Sequence, residues 1–196
     1  MKFTAIAAAV AFAALTSTAA FAQTAASTVQ RDINQEKRIE QGLTSGSLNT
    51  REAARLEGEE ARVNRSEANA LKDGKLTPRE RARIQRQQNQ VSRDIYRQKH
   101  DGQTGNPNSA SSKRLQADVQ RNINQQSRIE QGVKSGALTN SEVAQLERGQ
   151  AHVDRGEALA GADGHVGVRE QARVQRVENR QSARIYGQKH DGQTRK

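Results

Sequence analysis

The sequence predicts an all-α protein of two tandem homologous three-helix modules, each running up-down-up, joined by a flexible linker. Three observations predict this architecture: apolar residues recur at helical spacing, no segment alternates apolar and polar residues as a half-buried strand does, and the chain repeats itself. Only 33% of the 196 residues are hydrophobic and 3% are aromatic. Burial of so few apolar residues compensates only a small part of the backbone entropy that is lost on folding. We therefore expect the two modules, or two chains, to pair and bury more apolar surface.

The duplication defines the domain boundaries. Residues 29–104 align with residues 119–194 without a gap, and roughly 43 of 76 aligned positions are identical. Between the copies, the chain is small and polar and includes Pro107, a composition typical of flexible connections. We therefore predict a first module over residues 23–104, a linker over residues 105–112 and a second module over residues 113–196.

Residues 1–22 have the organisation of a secretory signal peptide. A basic start at Lys2 precedes an alanine-rich apolar run, and Ala20-Phe21-Ala22 supplies the small-x-small pattern of a cleavage site. The alternative is a transmembrane anchor, but the run is near the lower length limit for a span and no basic stop-transfer cluster follows it. We therefore predict cleavage after Ala22, a periplasmic or secreted location, and no transmembrane segment after processing.

Three apolar stripes in each module predict its three helices. In the first module they are Val29, Ile33, Ile39 and Leu43; Ala53, Leu56, Val63 and Ala70; and Ile84, Val91 and Ile95. In the second module they include Val119, Ile123, Ile129 and Val133, and then Val174, Val177 and Ile185. Helix starts are predicted where a capping residue stands three positions before a glutamate, at Asn49 with Glu52, Thr77 with Glu80, Thr139 with Glu142 and, more weakly, Gly167 with Glu170.

Two glutamates occupy an inward-facing stripe together with apolar residues. Glu60 and Glu67 lie on the stripe of the second helix, and Glu157 is the repeat of Glu67. A buried carboxylate needs a partner or it takes up a proton. Arg65 and Arg155 stand two positions before Glu67 and Glu157, so the sequence predicts a structural Glu–Arg contact in each copy rather than a general acid.

The turns between helices resemble the second half of an EF-hand calcium loop. Their pattern is Gly-x-Leu-[Thr/Asn]-x-x-Glu. In this register the turn glycines are Gly46, Gly74, Gly136 and Gly164. The carboxylates at the last position of the loop are Glu52, Glu80, Glu142 and Glu170. The first half of each loop lacks the oxygen ligands of an EF-hand. Only Asp73 with Glu80 and Asp163 with Glu170 remain as candidate calcium ligands, and capping boxes are the favoured interpretation. The repeat also resembles small exported bacterial proteins of unknown function, and this resemblance implies no activity.

Arginines accumulate in the third helix of each module, within a chain of formal net charge +10. The candidate residues are Arg79, Arg81, Arg83, Arg86, Arg93 and Arg97, and Arg169, Arg173, Arg176, Arg180 and Arg184. One interpretation is that they pair with glutamates of the second helix. The other is that they bind an anionic polymer such as nucleic acid, lipopolysaccharide phosphate or an acidic glycan. Tyr96 and Tyr186 are the only aromatic residues of the mature chain, so sequence-specific nucleic-acid binding is not expected.

The sequence predicts a protein without catalytic activity. The chain has no cysteine, which removes disulfides, thiolate metal sites and cysteine nucleophiles. The histidines His100, His152, His165 and His190 form no pair at metal-ligand spacing, and the chain contains no phosphate loop or nucleophile elbow.

The predicted function is that of an exported, basic, binding or stress-associated protein that contacts anionic envelope material or an acidic protein partner. The first alternative function is weak divalent-cation binding at the EF-hand-like turns. Apart from calcium in that alternative, no cofactor is expected. The second alternative is a protein-interaction module whose helices complete a bundle with a partner chain or with a second copy of this chain.

Overall fold

The protein is all-helical, as the apolar stripes predict. The computed structural model describes residues 13–193, with side chains from residue 25 onward. Within these residues the chain forms six helices and no strands: α1 (Ala13–Ser45), α2 (Thr50–Leu71), α3 (Pro78–Lys99), α4 (Ala110–Ser135), α5 (Asn140–Ala160) and α6 (Val168–Lys189). Helices α1–α3 belong to the first copy and α4–α6 to the second. The basic start of the predicted signal peptide and the last three residues of the second module lie outside the described residues.

The helix starts coincide with the predicted capping boxes. Asn49 accepts the backbone N–H of Glu52 and the Glu52 carboxylate accepts the N–H of Asn49. Thr77 and Thr139 make the same reciprocal pairs with Glu80 and Glu142. In this arrangement two backbone donors that have no partner within the helix are satisfied at once.

The turn after α1 depends on two glycines with different roles. Gly46 adopts a φ of 77°, in the left-handed region that glycine enters without a steric penalty. Gly42 lies one turn earlier under the side chain of Leu48, and a Cβ added to it would lie 2.5 Å from Leu48 Cγ. The Leu48 N–H donates to the Gly42 carbonyl at 2.9 Å. This turn therefore folds Leu48 back onto its own helix and into the core.

The two copies pair with each other and share one hydrophobic core. At its centre α2 runs antiparallel to α5, so that Gly58 lies against Ala158 and Ala54 against Gly161. Helix α1 packs in the same way along α4. The pairing buries the stripes that one module alone leaves open to solvent, as their low apolar content predicted.

Helices α3 and α6 lie on opposite flanks of this four-helix centre. Helix α3 packs on α1 and α2, whereas α6 packs on α4 and α5. Every predicted stripe residue is buried except Val177, which is half-buried. Among the residues that the structure describes, no helix combines the length and the apolar character needed to cross a bilayer. Cleavage after Ala22 would fall within α1 and stays a prediction.

The connection between the copies differs from the slack tether that was predicted. Helix α4 begins at Ala110, so the last residues of the predicted linker are helical. The Gly105 N–H donates to the Gly46 carbonyl at 2.8 Å, and the Gln116 side-chain amide donates to the Pro107 carbonyl at 2.9 Å. The connection is therefore shorter than predicted, and hydrogen bonds attach it to the end of α1 and to α4.

Candidate functional site

The arginines predicted to bind an anionic partner form two exposed rows. All eleven are exposed, six on α3 and five on α6. We call these sets the α3 row and the α6 row. Helix α3 packs on α1 and α2, and α6 packs on α4 and α5, so the two rows lie on different flanks of the central helices.

The predicted ion pairs between these arginines and the glutamates of α2 do not form in the described part of the chain. Most ion pairs there join residues of one helix, as Arg55 and Arg62 do with Glu59. Of the eleven arginines only Arg97 is ion-paired, and its partner Asp94 lies on α3 itself. The interpretation of a bundle held by salt bridges between its second and third helices is therefore wrong, and the rows keep most of their charge for other contacts.

A basic cleft lies beside the C-terminal half of α3. Its volume is about 780 Å³, and it is lined by Arg38, Gln90, Ser92, Arg93, Tyr96 and Arg97. Arg38 is held in place by hydrogen bonds to the hydroxyl and carbonyl oxygens of Ser92. In the second copy Ala183 and Gly187 replace Arg93 and Arg97, whereas Arg180 replaces Gln90, so the two copies place their arginines differently along this face.

The carboxylates predicted to bind calcium at the turns contact their own backbone. Asp73 accepts the N–H of Lys75 at 3.0 Å, and Glu80 accepts the N–H of Thr77 at 2.9 Å. Asp163 and Glu170 repeat these contacts in the second copy. These hydrogen bonds account for the four carboxylates as turn and cap residues, and calcium binding by them stays a prediction.

The largest feature that sequence reasoning missed is a layer of buried carboxyl groups between the two copies. It comprises Asp32, Glu36, Glu57, Glu60, Glu67, Asp118, Glu147, Asp154, Glu157 and Glu178, all buried. Only Glu60, Glu67 and Glu157 could be noticed in advance, because they share a stripe with apolar residues. The rest are brought together by the packing of α1, α2, α4, α5 and, for Glu178, α6 against one another.

Burial raises the pKa of each of these carboxyls. Loss of hydration is the largest cause in every case, and it raises the pKa of Asp32, Asp118 and Asp154 to about 7 and that of Glu178 to about 8. Neighbouring carboxylates then raise the pKa of Glu36 further, since Glu57, Asp154, Glu60 and Glu157 all face it. The layer therefore favours protons, or another positive charge, over free carboxylates.

The predicted contacts of Glu67 and Glu157 with arginine are absent from the described residues. Arg65 and Arg155 are exposed, whereas Glu67 meets Asp32 and accepts a hydrogen bond from Gln88 Nε2 at 3.3 Å. Glu157 instead accepts a hydrogen bond from Asn122 Nδ2 at 2.9 Å. The prediction fails because a residue two positions away on a helix points to a different face, and the true neighbours come from other helices.

Within the layer, Glu36 of α1, Glu57 of α2 and Asp154 of α5 converge. One carboxylate oxygen from each lies within 4.8 Å of the other two. No hydrogen-bond donor in the described chain reaches either oxygen of Glu57 or Oε2 of Glu36. Asp154 differs, because Asn64 Nδ2 donates to its Oδ2 at 2.6 Å and Gln150 Nε2 donates to its Oδ1 at 3.2 Å.

The duplication supplies a second arrangement for comparison. The positions equivalent to Glu36, Glu57 and Asp154 in the repeat are Gln126, Glu147 and Asn64. There the Gln126 amide donates to Glu147 Oε2 at 3.2 Å and to Asn64 Oδ1 at 3.4 Å. We call the first set the carboxylate triad and the second the amide triad. In the amide triad the Gln126 N–H group reaches both neighbouring side chains, whereas in the carboxylate triad no donor of the described chain reaches Glu57 or Glu36 Oε2.

The histidines lie apart from this layer. His100 and His190 stack on Tyr96 and Tyr186, with ring centroids 4.1 and 4.2 Å apart. Each histidine Nδ1 also lies 2.7 Å from the carbonyl oxygen of that tyrosine. These contacts lie at the exposed C-terminal ends of α3 and α6.

Comparisons with known proteins add no functional assignment. No protein-family model, no curated protein and no solved structure matches this chain.

Proposed function

We propose that this protein is an exported, non-catalytic binding protein that contacts anionic polymers of the cell envelope through its α3 and α6 rows. The chemistry that fits the rows is a chain of phosphate or carboxylate groups, because guanidinium groups pair with both through charge-assisted hydrogen bonds. Export, as predicted from residues 1–22, directs the protein to envelope material rather than to the chromosome.

The observation that carries this proposal is the separation of charge between the interior and the surface. The ten carboxyls of the buried layer lie inside the bundle, while the eleven arginines of the rows lie outside it. The formal net charge of +10 counts all of those carboxyls as ionised. Because burial favours their neutral form, the surface that a partner meets is more positive than the composition alone indicates.

The placement of the two rows supports simultaneous contact with two partners. An anionic polymer bound along α3 would leave α6 free on the opposite flank. Two weak contacts joined in one rigid body bind a multivalent partner more tightly than either contact alone. We therefore expect the protein to cross-link anionic chains or vesicles at low ionic strength.

The test is binding to vesicles that contain anionic phospholipid, measured by co-sedimentation in increasing salt. We expect affinity to fall steeply between low and moderate salt, because charge-driven contact releases counterions. The triple variant Arg79→Gln, Arg83→Gln and Arg86→Gln should weaken binding. The matched control on α2, Arg55→Gln, Arg62→Gln and Arg65→Gln, removes the same charge from outside the rows and should weaken it less.

Two results would contradict the proposal. Binding that is insensitive to salt would show that charge does not drive the contact. An equal loss in the α2 and α3 variants would show that net charge, rather than the rows, determines binding. Vesicles of neutral lipid serve as the control for contact that does not depend on charge.

A further inference from the structure

We propose that the carboxylate triad of Glu36, Glu57 and Asp154 binds one hard divalent cation, of the class of Ca²⁺ or Mn²⁺, between the two copies of the repeat. This site is separate from the arginine rows and does not depend on the function proposed for them. It is also separate from the turns that resemble EF-hand loops. Its three ligands come from α1, α2 and α5, so they meet only when the copies pair.

The first argument is the geometry of the oxygen atoms. One oxygen from each residue lies within 4.8 Å of the other two. Oxygen ligands lie about 2.3–2.6 Å from Ca²⁺, so two of them on one ion are at most about 5 Å apart. The three oxygens therefore lie close enough together for a single ion to contact all of them after small side-chain movements. A ligand set made only of carboxylates favours a hard cation over zinc or copper, which prefer nitrogen or sulfur ligands.

The second argument is that the two glutamates of the triad have buried oxygens that no hydrogen-bond donor of the described chain reaches. Glu57 is 0% exposed and Glu36 is 2% exposed. Across the residues that the structure describes, no donor lies within hydrogen-bond distance of either Glu57 oxygen or of Glu36 Oε2. Buried polar atoms in folded proteins are nearly always satisfied, so a buried carboxylate aimed at two others without a donor indicates a ligand.

The third argument comes from the second copy of the repeat. In the amide triad the Gln126 side chain donates to both of its neighbours, at 3.2 and 3.4 Å. There the positive end of an N–H dipole performs the role that a cation would perform among three oxygens. The same backbone therefore holds two arrangements of three polar side chains: the amide triad carries N–H donors of its own, whereas an ionised carboxylate triad offers only acceptor oxygens.

The surroundings of the carboxylate triad are also acidic. Glu60 and Glu157 face Glu36, and Asp118 faces Glu57. The amides of Asn64 and Gln150 hold Asp154 in position from outside the triad, as supporting hydrogen bonds do around metal ligands. Protons compete with the cation for these carboxylates, so loading should release protons and should weaken at pH 5.

The experiment uses the mature chain, which is first unfolded in urea with a chelator. The chelator is then removed, and the chain is refolded with or without Mn²⁺ or Ca²⁺. Refolding is needed because the ligands are buried. Ion content after gel filtration should be one per chain, and calorimetry in two buffers of different ionisation enthalpy should report proton release. The cation should also raise the unfolding temperature, because it binds only the folded state.

Two variants identify the site. Glu36→Gln copies the residue of the amide triad, so it should fold with a higher unfolding temperature without cation, yet bind the ion at least about tenfold more weakly. Asp73→Asn changes the turn that resembles an EF-hand loop and should leave binding unchanged. Because Glu36→Gln is expected to stabilise the fold, a loss of binding in it cannot be explained by misfolding.

Three results would overturn the proposal. If neither cation binds the natural chain, the carboxyls of the triad are held by shared protons instead. If Glu36→Gln keeps its ion, the cation lies elsewhere. If Asp73→Asn loses the ion and Glu36→Gln does not, the EF-hand-like turn is the site.

Discussion

Gln126 Nε2 donates a hydrogen bond to Glu147 Oε2 at 3.2 Å, in the interior of the bundle. The equivalent pair in the first copy is Glu36 with Glu57, and neither of these carboxylates is matched by a donor of that kind in the described chain. Two copies of one sequence have thus diverged at a buried position, by a change from carboxylate to amide.

Glu36→Gln should raise the stability of the cation-free protein. The new amide can donate to Glu57 as Gln126 donates to Glu147, and it removes a buried charge that has no cationic partner. We expect the free energy of unfolding at pH 8 to rise by about 1–3 kcal/mol. Urea unfolding in the presence of a chelator measures it. Glu40→Gln, one turn further along α1 and partly exposed, is the control, and a gain of the same size there would contradict the explanation.

Asp32→Asn should make stability less dependent on pH. Asp32 meets Glu67, and its equivalent Asn122 donates to Glu157 at 2.9 Å. The substitution therefore gives Glu67 a second donor in addition to Gln88 Nε2. We expect a gain of about 1 kcal/mol at pH 8 and a smaller gain at pH 5, where the natural carboxyl is protonated. Urea unfolding of both proteins at the two pH values measures this difference. An equal gain in the free energy of unfolding at pH 5 and pH 8 would contradict the prediction.

The cation-free protein should lose stability as pH rises through neutrality. Burial raises the pKa of Asp154 and Asp118 in the folded state from 3.8 to about 7. The folded state therefore holds protons that the unfolded chain releases. This stabilisation is complete below the unfolded pKa and disappears as pH rises through the folded pKa. Between its unfolded and its folded pKa, each such group lowers the free energy of unfolding by about 1.4 kcal/mol per pH unit. Urea unfolding from pH 5 to 8 should show this decline, and a maximum near pH 8 would contradict it.

Gly42→Ala should destabilise the turn after α1. The added Cβ would overlap Leu48, which is buried and cannot move without disturbing the core. Overpacking of this kind costs about 1–3 kcal/mol. Gly187→Ala is the matched control, because nothing lies within 4 Å of its added Cβ. Since alanine favours a helix over glycine, that control should gain about 0.5–1 kcal/mol. Thermal unfolding of both variants measures the contrast, and equal midpoints would refute it.

The first copy alone, residues 23–104, should not persist as a helical monomer. In the full chain α2 is covered by α5 and α1 by α4, so an isolated copy would expose both of those faces. We expect its helix content to fall on dilution, with dimers at high concentration that imitate the natural pairing. Circular dichroism and sedimentation across a concentration series measure this. A monomer with full helix content at every concentration would contradict it.

Local features of the chain were enough to predict much of the fold. Asn49 with Glu52 and Thr77 with Glu80 mark helix starts because a cap acts over three residues of one segment. The stripe that contains Val63 predicts an inward face because helical periodicity is a property of a single helix. The exposure of the eleven arginines also follows from their place opposite such a stripe.

The partners of the buried residues could not be predicted in the same way. The sequence suggested Arg65 for Glu67, yet the structure places Asp32 there. Likewise, Asp154 meets Glu36 and Glu57 although it lies in the other copy. Such contacts depend on how helices from distant segments align and rotate against one another, and neither quantity is encoded in the spacing of one helix.

The sequence by itself therefore determined the helices, their ends, the duplication and the basic outer surface, because each follows from interactions between residues near in the chain. Only the tertiary structure decided that the copies pack around buried carboxyls and that Glu36 and Glu57 meet Asp154 with oxygens that no donor in the described chain reaches. The physical reason is that burial and hydrogen-bond satisfaction belong to the packed molecule, where loss of water makes the identity of each neighbour decisive.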